Sequence, residues 1–380
     1  MAHQKPKPQV VDIHTHMYPP AYISILSSRD TIPLIRRFPS SPDPRLILLE
    51  AELPALEAAL HDPTAPLPGR PLTKHFSHLS QKLHFMATQK IDISVLSLAN
   101  PWLDFVSPLE AGQAADQVNG SFELMCTARK GSRFFFFGTL PLSAPLPTIL
   151  ASIDNLKRLP HCRGIIMGTT GLGAGLDDPS LLPILKALAT AHLPIFLHPH
   201  YGLPNSVYGP RASEYGHVLP LALGFPMETT IAVARMYLAG VFDAVPALRM
   251  ILAHSGGTLP FLAGRIESCV LHDGKLATVK RGRTVWEVLR EQVYLDAVVY
   301  SEVGLRAAVE ASGGAERLMF GTDHPFFPPV GGEAGDGEEG KWESVRLNVE
   351  AVDKALGEGS EEAGMVMGGN AVKVLRLYEE

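Results

Sequence analysis

The chain has 380 residues, and its 33 Lys and Arg against 39 Asp and Glu give a formal net charge of −6. Hydrophobic residues make up 46% and charged residues 19%, which excludes wholesale disorder, and a mildly acidic chain without a basic tract is a poor nucleic-acid binder. The three cysteines, Cys126, Cys162 and Cys269, do not form a disulfide framework and fit a reducing compartment such as the cytoplasm.

Eight short apolar runs recur along the chain, and most of them lack polar alternation. Such runs are typical of strands that are covered on both faces, as in a parallel sheet. The predicted strands are 10–14, 91–100, 133–141, 163–169, 193–198, 248–254, 293–300 and 317–323.

Helical spacing falls between these runs, at 181–188, 228–241 and 303–312, the last ended by two glycines. Eight strands that alternate with helices favour a (β/α)8 TIM barrel over an open sheet. The longest uncharged run, 134–153, contains three prolines, so we interpret it as a strand leading into a loop and expect no membrane association.

One interval departs from this alternation. About 80 residues separate the first two strands, far more than the ~30 of a βαβ unit, so we expect an insertion at about 18–75 over the barrel mouth. Residues 331–341, rich in Gly and Glu, are predicted to be a solvated loop, and the last 40 residues to be a helical extension outside the barrel. The sequence thus predicts one distorted barrel domain over 1–380.

Polar side chains end several predicted strands. His14 and His16 end the first strand two residues apart, so their side chains point the same way. His198 ends the fifth strand and Asp323 the eighth. Because the carboxyl ends of barrel strands meet at one mouth, we expect these four residues to hold one cation, and three imidazoles with one carboxylate suit Zn²⁺.

Five further residues lie beside this predicted metal site. His254 ends the sixth strand and is a candidate for proton transfer. His200 and His324 are predicted to line the pocket or to support the ligands. Asp296, on the seventh strand, either orients a histidine or caps a layer of the barrel, and Asp12, on the opposite strand face from the paired histidines, is predicted to be structural.

Three residues are candidates for substrate contacts. Arg70 lies in a Gly-Arg-Pro turn of the insertion, and its guanidinium suits a carboxylate or a carbonyl edge. Asn100, at the end of the second strand, offers the donor and acceptor that a uracil-like amide edge requires. Phe326 follows the Asp323 motif and is positioned to stack on a flat ring. The remaining clustered histidines are interpreted as solvated or helix-face residues: His75, His78 and His84.

Other catalytic motifs are absent from the sequence. It has no GxGxxG opening a helix after the first strand, no GxxxxGK[ST] phosphate loop and no GxSxG. The fourth predicted strand has no lysine that could be carboxylated to bridge two metals. A single-metal site is therefore favoured over a binuclear hydrolase centre.

The motifs follow the order of one known family across nearly the whole chain. They are DIHTH at 12–16, FLHPH at 196–200, GFPMETTIA at 224–232, LAHSGG at 252–257 and MFGTDHPF at 319–326. The chain resembles the amidohydrolase-2 branch of metal-dependent barrels, the aminocarboxymuconate-semialdehyde decarboxylase-like family. The resemblance implies a non-oxidative decarboxylase that uses one divalent metal, needs no organic cofactor and forms a homodimer.

Within the family, the resemblance is strongest to members that decarboxylate uracil-5-carboxylate (isoorotate) in thymidine salvage. It implies the ligands His14, His16, His198 and Asp323, with His254 as the histidine that follows the sixth strand. Asp323 or His254 would then supply the proton that replaces CO₂. Three alternatives remain open: a decarboxylase of a salicylate- or resorcylate-like acid, a mononuclear hydrolase of a lactone or cyclic amide, and a non-catalytic barrel that binds a ligand or partner.

Overall fold

A computed structural model describes residues 9–128, 133–279, 281–329 and 342–378. The Gly- and Glu-rich loop predicted at 331–341 lies outside the described residues. All other predicted strands, helices and site residues fall within them.

The strands form one large and one small sheet. In chain order they are β1 (Val11–Met17), β2 (Leu34–Arg36), β3 (Arg45–Ile47), β4 (Arg70–Pro71), β5 (Ile93–Leu98), β6 (Phe134–Gly138), β7 (Cys162–Gly168), β8 (Ile195–His198), β9 (Met250–Leu252), β10 (Val293–Asp296) and β11 (Leu318–Met319). Strands β1 and β5 to β11 pair in parallel in chain order, with helices between them, which makes a (β/α)8 barrel.

The predicted strands each overlap one barrel strand, because runs that are apolar on both faces are buried on both faces. All seven residues of β1 and all five of β6 are buried. The difference that bears on the candidate site concerns β9 and β11, which were predicted to reach His254 and Asp323. They end at Leu252 and Met319, so the two functional side chains lie on the segments that follow the strands.

Helices surround the barrel. They are α1 (Pro20–Ser27), α2 (Leu53–His61), α3 (Lys74–Ser77), α4 (Leu79–Thr88), α5 (Ala111–Thr127), α6 (Leu146–Leu156), α7 (Leu182–Thr190), α8 (Phe225–Leu238), α9 (Val241–Ala244), α10 (Leu259–His272), α11 (Val285–Glu291), α12 (Glu302–Ser312), α13 (Glu343–Leu356), α14 (Glu361–Gly364) and α15 (Asn370–Val374). The predicted end of α12 is confirmed: Gly313 follows it with φ of 90°, a conformation that favours glycine. Among the helices of the described residues, none is long and apolar enough to cross a bilayer.

The segment between β1 and β5 is more regular than a Pro-rich insertion suggests. Strands β2, β3 and β4 form an antiparallel sheet, in which Leu46 pairs with Arg70. A small apolar cluster of Leu34, Phe38, Ile47 and Ala59 supports this sheet. The sheet carries Arg70 to the carboxyl end of the barrel, where its Nη2 lies 3.5 Å from the carbonyl oxygen of Asn100.

The barrel closes between β11 and β1 through few backbone hydrogen bonds. Ile13 N donates to the Phe320 carbonyl at 3.0 Å, and His16 N donates to the His324 carbonyl at 2.8 Å. The predicted C-terminal helical extension is confirmed and packs beside this closure, where Phe320 N donates to the Val366 carbonyl at 2.8 Å.

Candidate metal centre and substrate pocket

The four predicted ligands come together at the carboxyl end of the barrel. One ligand atom from each of His14, His198, His254 and Asp323 lies within 4.8 Å of the other three. His16 belongs to the same group, because its Nε2 is 3.4 Å from Asp323 Oδ1, as close as the 3.3 Å that separates that oxygen from His14 Nε2. The structure therefore gathers four histidines around one carboxylate.

Local backbone geometry explains how residues so far apart in sequence meet. His14 and His16 alternate with Thr15 on β1, so both imidazoles point to one side of the strand. Asp323 adopts the left-handed region, with φ of 56°, and its N–H donates to the His14 carbonyl at 2.7 Å. This turn directs the carboxylate toward the two histidines.

Three of the histidines share one hydrogen-bonding pattern: an oxygen atom accepts from Nδ1, and Nε2 is buried without a hydrogen-bond partner among the described residues. The Nδ1 atoms of His14, His16 and His198 pair with Asp296 Oδ2 (2.5 Å), Ser97 Oγ (3.1 Å) and the Pro199 carbonyl (2.8 Å), respectively. An oriented imidazole with a free, buried Nε2 is the usual form of a metal-ligating histidine. The residues present thus fit one divalent cation.

Asp296 orients His14. Of the two roles that the sequence left open for Asp296, orienting a histidine or capping a layer of the barrel, the structure therefore favours the first. Its Oδ2 also accepts from His254 N at 3.0 Å, and its Oδ1 accepts from Ser255 N at 2.7 Å. One fully buried carboxylate thereby fixes a candidate ligand and the backbone that carries His254. The predicted structural role of Asp12 is confirmed, since its carboxylate accepts from Thr322 N and Oγ1 at 3.1 and 2.8 Å.

His254 differs from the other three histidines of the centre. Its Nε2 lies 3.6 Å from Asp323 Oδ2, and its side chain is 15% exposed, whereas those of His14 and His16 are fully buried. Its backbone has φ of 53°. His254 therefore lies at the open side of the cluster, within reach of both solvent and the carboxylate.

The pKa values of three of the clustered histidines are shifted in different directions. Burial lowers the pKa of His16 to about 4, and burial with the neighbouring histidines holds the pKa of His198 well below its usual range, so both are neutral at neutral pH. Burial alone would lower the pKa of His14, but Asp323 and Asp296 outweigh it and raise that pKa to about 10. Burial opposes ionisation of Asp323, yet the histidines around it hold its pKa well below the usual range.

The candidate substrate residues line one side of this centre. The Phe326 ring lies edge-on to the His16 ring, with 5.3 Å between their centroids. The Arg70 guanidinium carbon is 4.8 Å from the Phe326 ring centroid, and Nη2 donates to Tyr18 Oη at 2.6 Å. Arg70 Nε is buried and has no hydrogen-bond partner among the described residues, so one donor of this arginine stays available.

Asn100 lies next to both Arg70 and His200. Asn100 Nδ2 donates to the His200 carbonyl at 2.5 Å, which occupies one amide proton and leaves the other. The His200 ring pairs through Nδ1 with Thr170 Oγ1 at 2.7 Å and through Nε2 with Asp104 Oδ2 at 3.0 Å. His200 is therefore a pocket-wall residue, in agreement with its predicted role.

The sequence analysis missed two supporting residues. Glu228 accepts from His200 N at 2.8 Å and from Gly202 N, and Lys82 donates to His324 Nδ1 at 2.5 Å. His75, interpreted as solvated or on a helix face, lies on α3, and its Nδ1 is 3.3 Å from His324 Nε2. A lysine at helical spacing from Phe85 and Met86 on α4 was the available signal for Lys82.

Comparison with known proteins shows the family of the chain. Residues 108–377 match the Amidohydrolase family. A curated relative, the 2-amino-3-carboxymuconate-6-semialdehyde decarboxylase of Dictyostelium discoideum, is 31% identical over 248 residues, which cover 63% of this chain and 64% of that protein.

Two solved structures are also similar. The apo crystal structure of Metarhizium anisopliae IDCase has a TM-score of 0.92 and 68% sequence identity, and 98% of each chain is covered. The 5-carboxyvanillate decarboxylase LigW of Sphingomonas paucimobilis has a TM-score of 0.74 at 19% identity, with 97% of this chain and 99% of that chain covered. At that identity LigW bears on the fold alone.

Proposed function

The chain belongs to the amidohydrolase family, and we propose that it is a metal-dependent decarboxylase that converts uracil-5-carboxylate (isoorotate) to uracil and CO₂. The observation that carries this proposal is the 68% identity to IDCase, an isoorotate decarboxylase, over 98% of both chains. The geometry supports it, because the metal centre, a flat aromatic ring and a guanidinium group adjoin one another.

We assign the metal to His14, His16, His198 and Asp323, and we propose Zn²⁺ as the cation, since three imidazoles and one carboxylate suit it. His254 is left out of the ligand set because it is the most exposed of the four histidines of the centre and its Nε2 lies 3.6 Å from Asp323 Oδ2. A bound divalent cation would polarise the C4 carbonyl of the substrate and offset negative charge on its oxygen.

The pocket residues orient the ring. Phe326 stacks against the pyrimidine face, while Arg70, through its unpaired Nε, donates to an oxygen at the ring edge. Asn100 keeps one amide proton and its Oδ1 for the amide edge of the pyrimidine. These contacts hold C5 beside Asp323 and so reduce the entropy lost in reaching the reactive geometry.

The chemistry requires one proton at C5. The proton adds to C5, the bond from C5 to the carboxylate breaks, CO₂ leaves, and the electron pair of that bond restores the ring double bond. In this proposal Asp323 lies beside C5, but its low pKa makes it a poor acid on its own. We therefore assign His254, 3.6 Å from Asp323 Oδ2 and open to solvent, as the group that resupplies the proton.

The experiment is turnover of purified protein with uracil-5-carboxylate, followed by uracil formation and CO₂ release. We expect uracil and CO₂ in equal amounts, loss of both on chelation and recovery on addition of Zn²⁺. Ring opening without CO₂ would instead indicate a hydrolase, and CO₂ from 2,6-dihydroxybenzoate but not from uracil-5-carboxylate would indicate a phenolic-acid decarboxylase. Full metal occupancy with no turnover on either acid would contradict the proposal. The homodimer and the place in thymidine salvage stay predictions of the family resemblance, and the cytoplasmic location stays a prediction from the cysteines.

A further inference from the structure

Lys82 is a buried charge that the proposed mechanism does not use. Its side chain projects from α4 and is fully buried. Lysine is almost never fully buried unless it is paired, because removing an ammonium group from water is costly. Burial lowers the pKa of Lys82, and the nearby Asp12 carboxylate opposes that shift. A buried lysine with this free-energy cost of desolvation is expected to position neighbouring side chains.

What Lys82 holds is the His324 ring. Lys82 Nζ is 2.5 Å from His324 Nδ1; when Lys82 carries its proton it can only donate, so Nδ1 then accepts and the ring proton lies on Nε2. That proton faces His75 Nδ1 at 3.3 Å. Phe85 stacks on the ring at 3.7 Å between centroids, and Trp342 packs against it at 4.5 Å. The orientation of the His324 ring is thereby fixed.

The backbone of His324 connects directly to two candidate ligands. Its carbonyl accepts from His16 N at 2.8 Å and from Thr15 Oγ1 at 3.3 Å, and Asp323 precedes it in the chain. Lys82 also donates to Thr15 Oγ1 at 2.5 Å. Thr15 points away from the face of β1 that carries His14 and His16. Lys82 therefore contacts the junction of β1 and β11 from outside the barrel wall.

We propose that Lys82 is a positioning residue of the metal centre: by holding His324 and Thr15 from behind the barrel wall, it fixes the Asp323 carboxylate and the His16 imidazole in their ligating arrangement. The inference rests on the metal site of the proposed function and is independent of the substrate. Asp323 depends on this support because its backbone has φ of 56°, a conformation that non-glycine residues rarely adopt.

The test replaces Lys82 by methionine, which keeps the length of the aliphatic stem and removes the ammonium group. Lys186→Met is the matched control, because Lys186 is an exposed lysine on α7. The measurements are Zn²⁺ affinity by competition with a chelator, kcat and KM for uracil-5-carboxylate at saturating Zn²⁺, and thermal stability. We expect Lys82→Met to weaken Zn²⁺ binding by about 10- to 100-fold and to lower kcat with little change in KM, because loss of a group that orients ligands has effects of this size.

Two outcomes would overturn the inference. One is Zn²⁺ affinity and kcat equal to those of Lys186→Met. The other is a drop in thermal stability with unchanged Zn²⁺ affinity and kcat, which would give Lys82 a purely structural role. The affinity measurement uses no substrate, so it still decides the role of Lys82 if the protein proves inactive on uracil-5-carboxylate.

A second variant covers the case in which Lys82→Met does not fold. The Asp12 carboxylate acts electrostatically on Lys82, and removing one of two buried opposite charges leaves the other less compensated, so Asp12→Asn combined with Lys82→Met is the better-tolerated change. It is compared with Asp12→Asn alone, in which the amide oxygen can still accept from Thr322. We expect the double variant to bind Zn²⁺ about 10-fold or more weakly than the single one, and equal affinities would contradict the role of Lys82.

Discussion

Strand β1 has two neighbours in the barrel, and the two seams are built differently. Toward β5 it forms an extended parallel ladder, from Val11 paired with Ile93 to Met17 paired with Leu98. Toward β11 it is held by a few backbone hydrogen bonds and an isolated bridge between Thr15 and His324. Buried polar side chains complete that second seam: Asp12, Thr15, Lys82, Thr322 and His324.

Because the two junctions are built differently, we expect the β1–β5 junction to matter mainly for stability and the β1–β11 junction mainly for the metal centre. On the β5 side, burial of apolar side chains and a ladder with one register shift, between Asp12 and Thr15, hold the strands, so truncating an apolar side chain there should lower the free energy of unfolding and spare the site. On the β11 side, polar contacts hold Asp323 in an unfavourable backbone conformation beside three histidines. Damage there should affect metal binding and turnover first.

The largest expected effect comes from Asp323→Asn, at the centre of the polar seam. The change removes the carboxylate that receives and delivers the proton, so we expect kcat for uracil-5-carboxylate to fall by about 100- to 10,000-fold. Metal content must be measured in the same preparation. A variant that keeps its metal and near-normal turnover would show that Asp323 is not the proton donor.

Leu96→Ala probes the ladder on the other side. Leu96 is fully buried in β5, opposite Thr15, and truncation there should lower the free energy of unfolding by about 2–5 kcal/mol. Chemical denaturation measures this loss. At a temperature where the variant is folded, Zn²⁺ affinity and kcat should equal those of the wild type, and a large loss of either would remove the distinction between the seams.

Asp296→Asn tests the orientation of His14. The amide keeps the size of the side chain but loses the charge and one acceptor that hold Nδ1, so we expect Zn²⁺ affinity to fall by about 10- to 100-fold. Competition with a chelator gives the affinity. Asp154→Asn, at a side chain that is 69% exposed on α6, is the control and should bind Zn²⁺ normally. Equal affinities for the two variants would mean that Asp296 does not orient a ligand.

The last effect, about tenfold for each pH unit, is the dependence of metal binding on pH. Asp323 and Asp296 overcome the effect of burial and raise the pKa of His14 to about 10, so without a cation this histidine is protonated at neutral pH. A cation must displace that proton, and raising the pH therefore favours binding, by about tenfold per pH unit from about pH 7 to about pH 9. Calorimetry in buffers of different ionisation enthalpy should detect about one proton released per cation. An affinity that levels off above about pH 7 would indicate that His14 titrates near its ordinary value of 6.5.

Much of the barrel, and the side chains that meet at its carboxyl end, could be predicted from the sequence because both depend on local signals. Apolar runs buried on both faces indicated the eight barrel strands, and polar residues where those runs end indicated four side chains that the structure brings close together, His14, His16, His198 and Asp323, whose role as metal ligands stays a prediction. The strand ends were less accurate near His254 and Asp323, where the chain leaves the ladder while its side chains stay buried.

The supporting residues could not be predicted in the same way, because their roles depend on contacts distant in sequence. Lys82 and His324 are separated by 242 positions, and His14 and Asp296 by 282. A lone lysine in an amphipathic helix is usually solvated, so only the fold reveals that this one lies against the barrel wall. The inserted antiparallel sheet was missed for another reason: its strands have only two or three residues each, too few for a periodic pattern.

Anomalous X-ray diffraction at the zinc absorption edge, on crystals grown with Zn²⁺, tests the central claim most directly. The account predicts one strong peak per chain, at bonding distance from the Nε2 atoms of His14, His16 and His198 and from the Asp323 carboxylate. A peak bonded to His254 in place of one of these histidines would contradict the assigned ligand set. Crystals of active protein with no peak at this end of the barrel would contradict the metal centre itself.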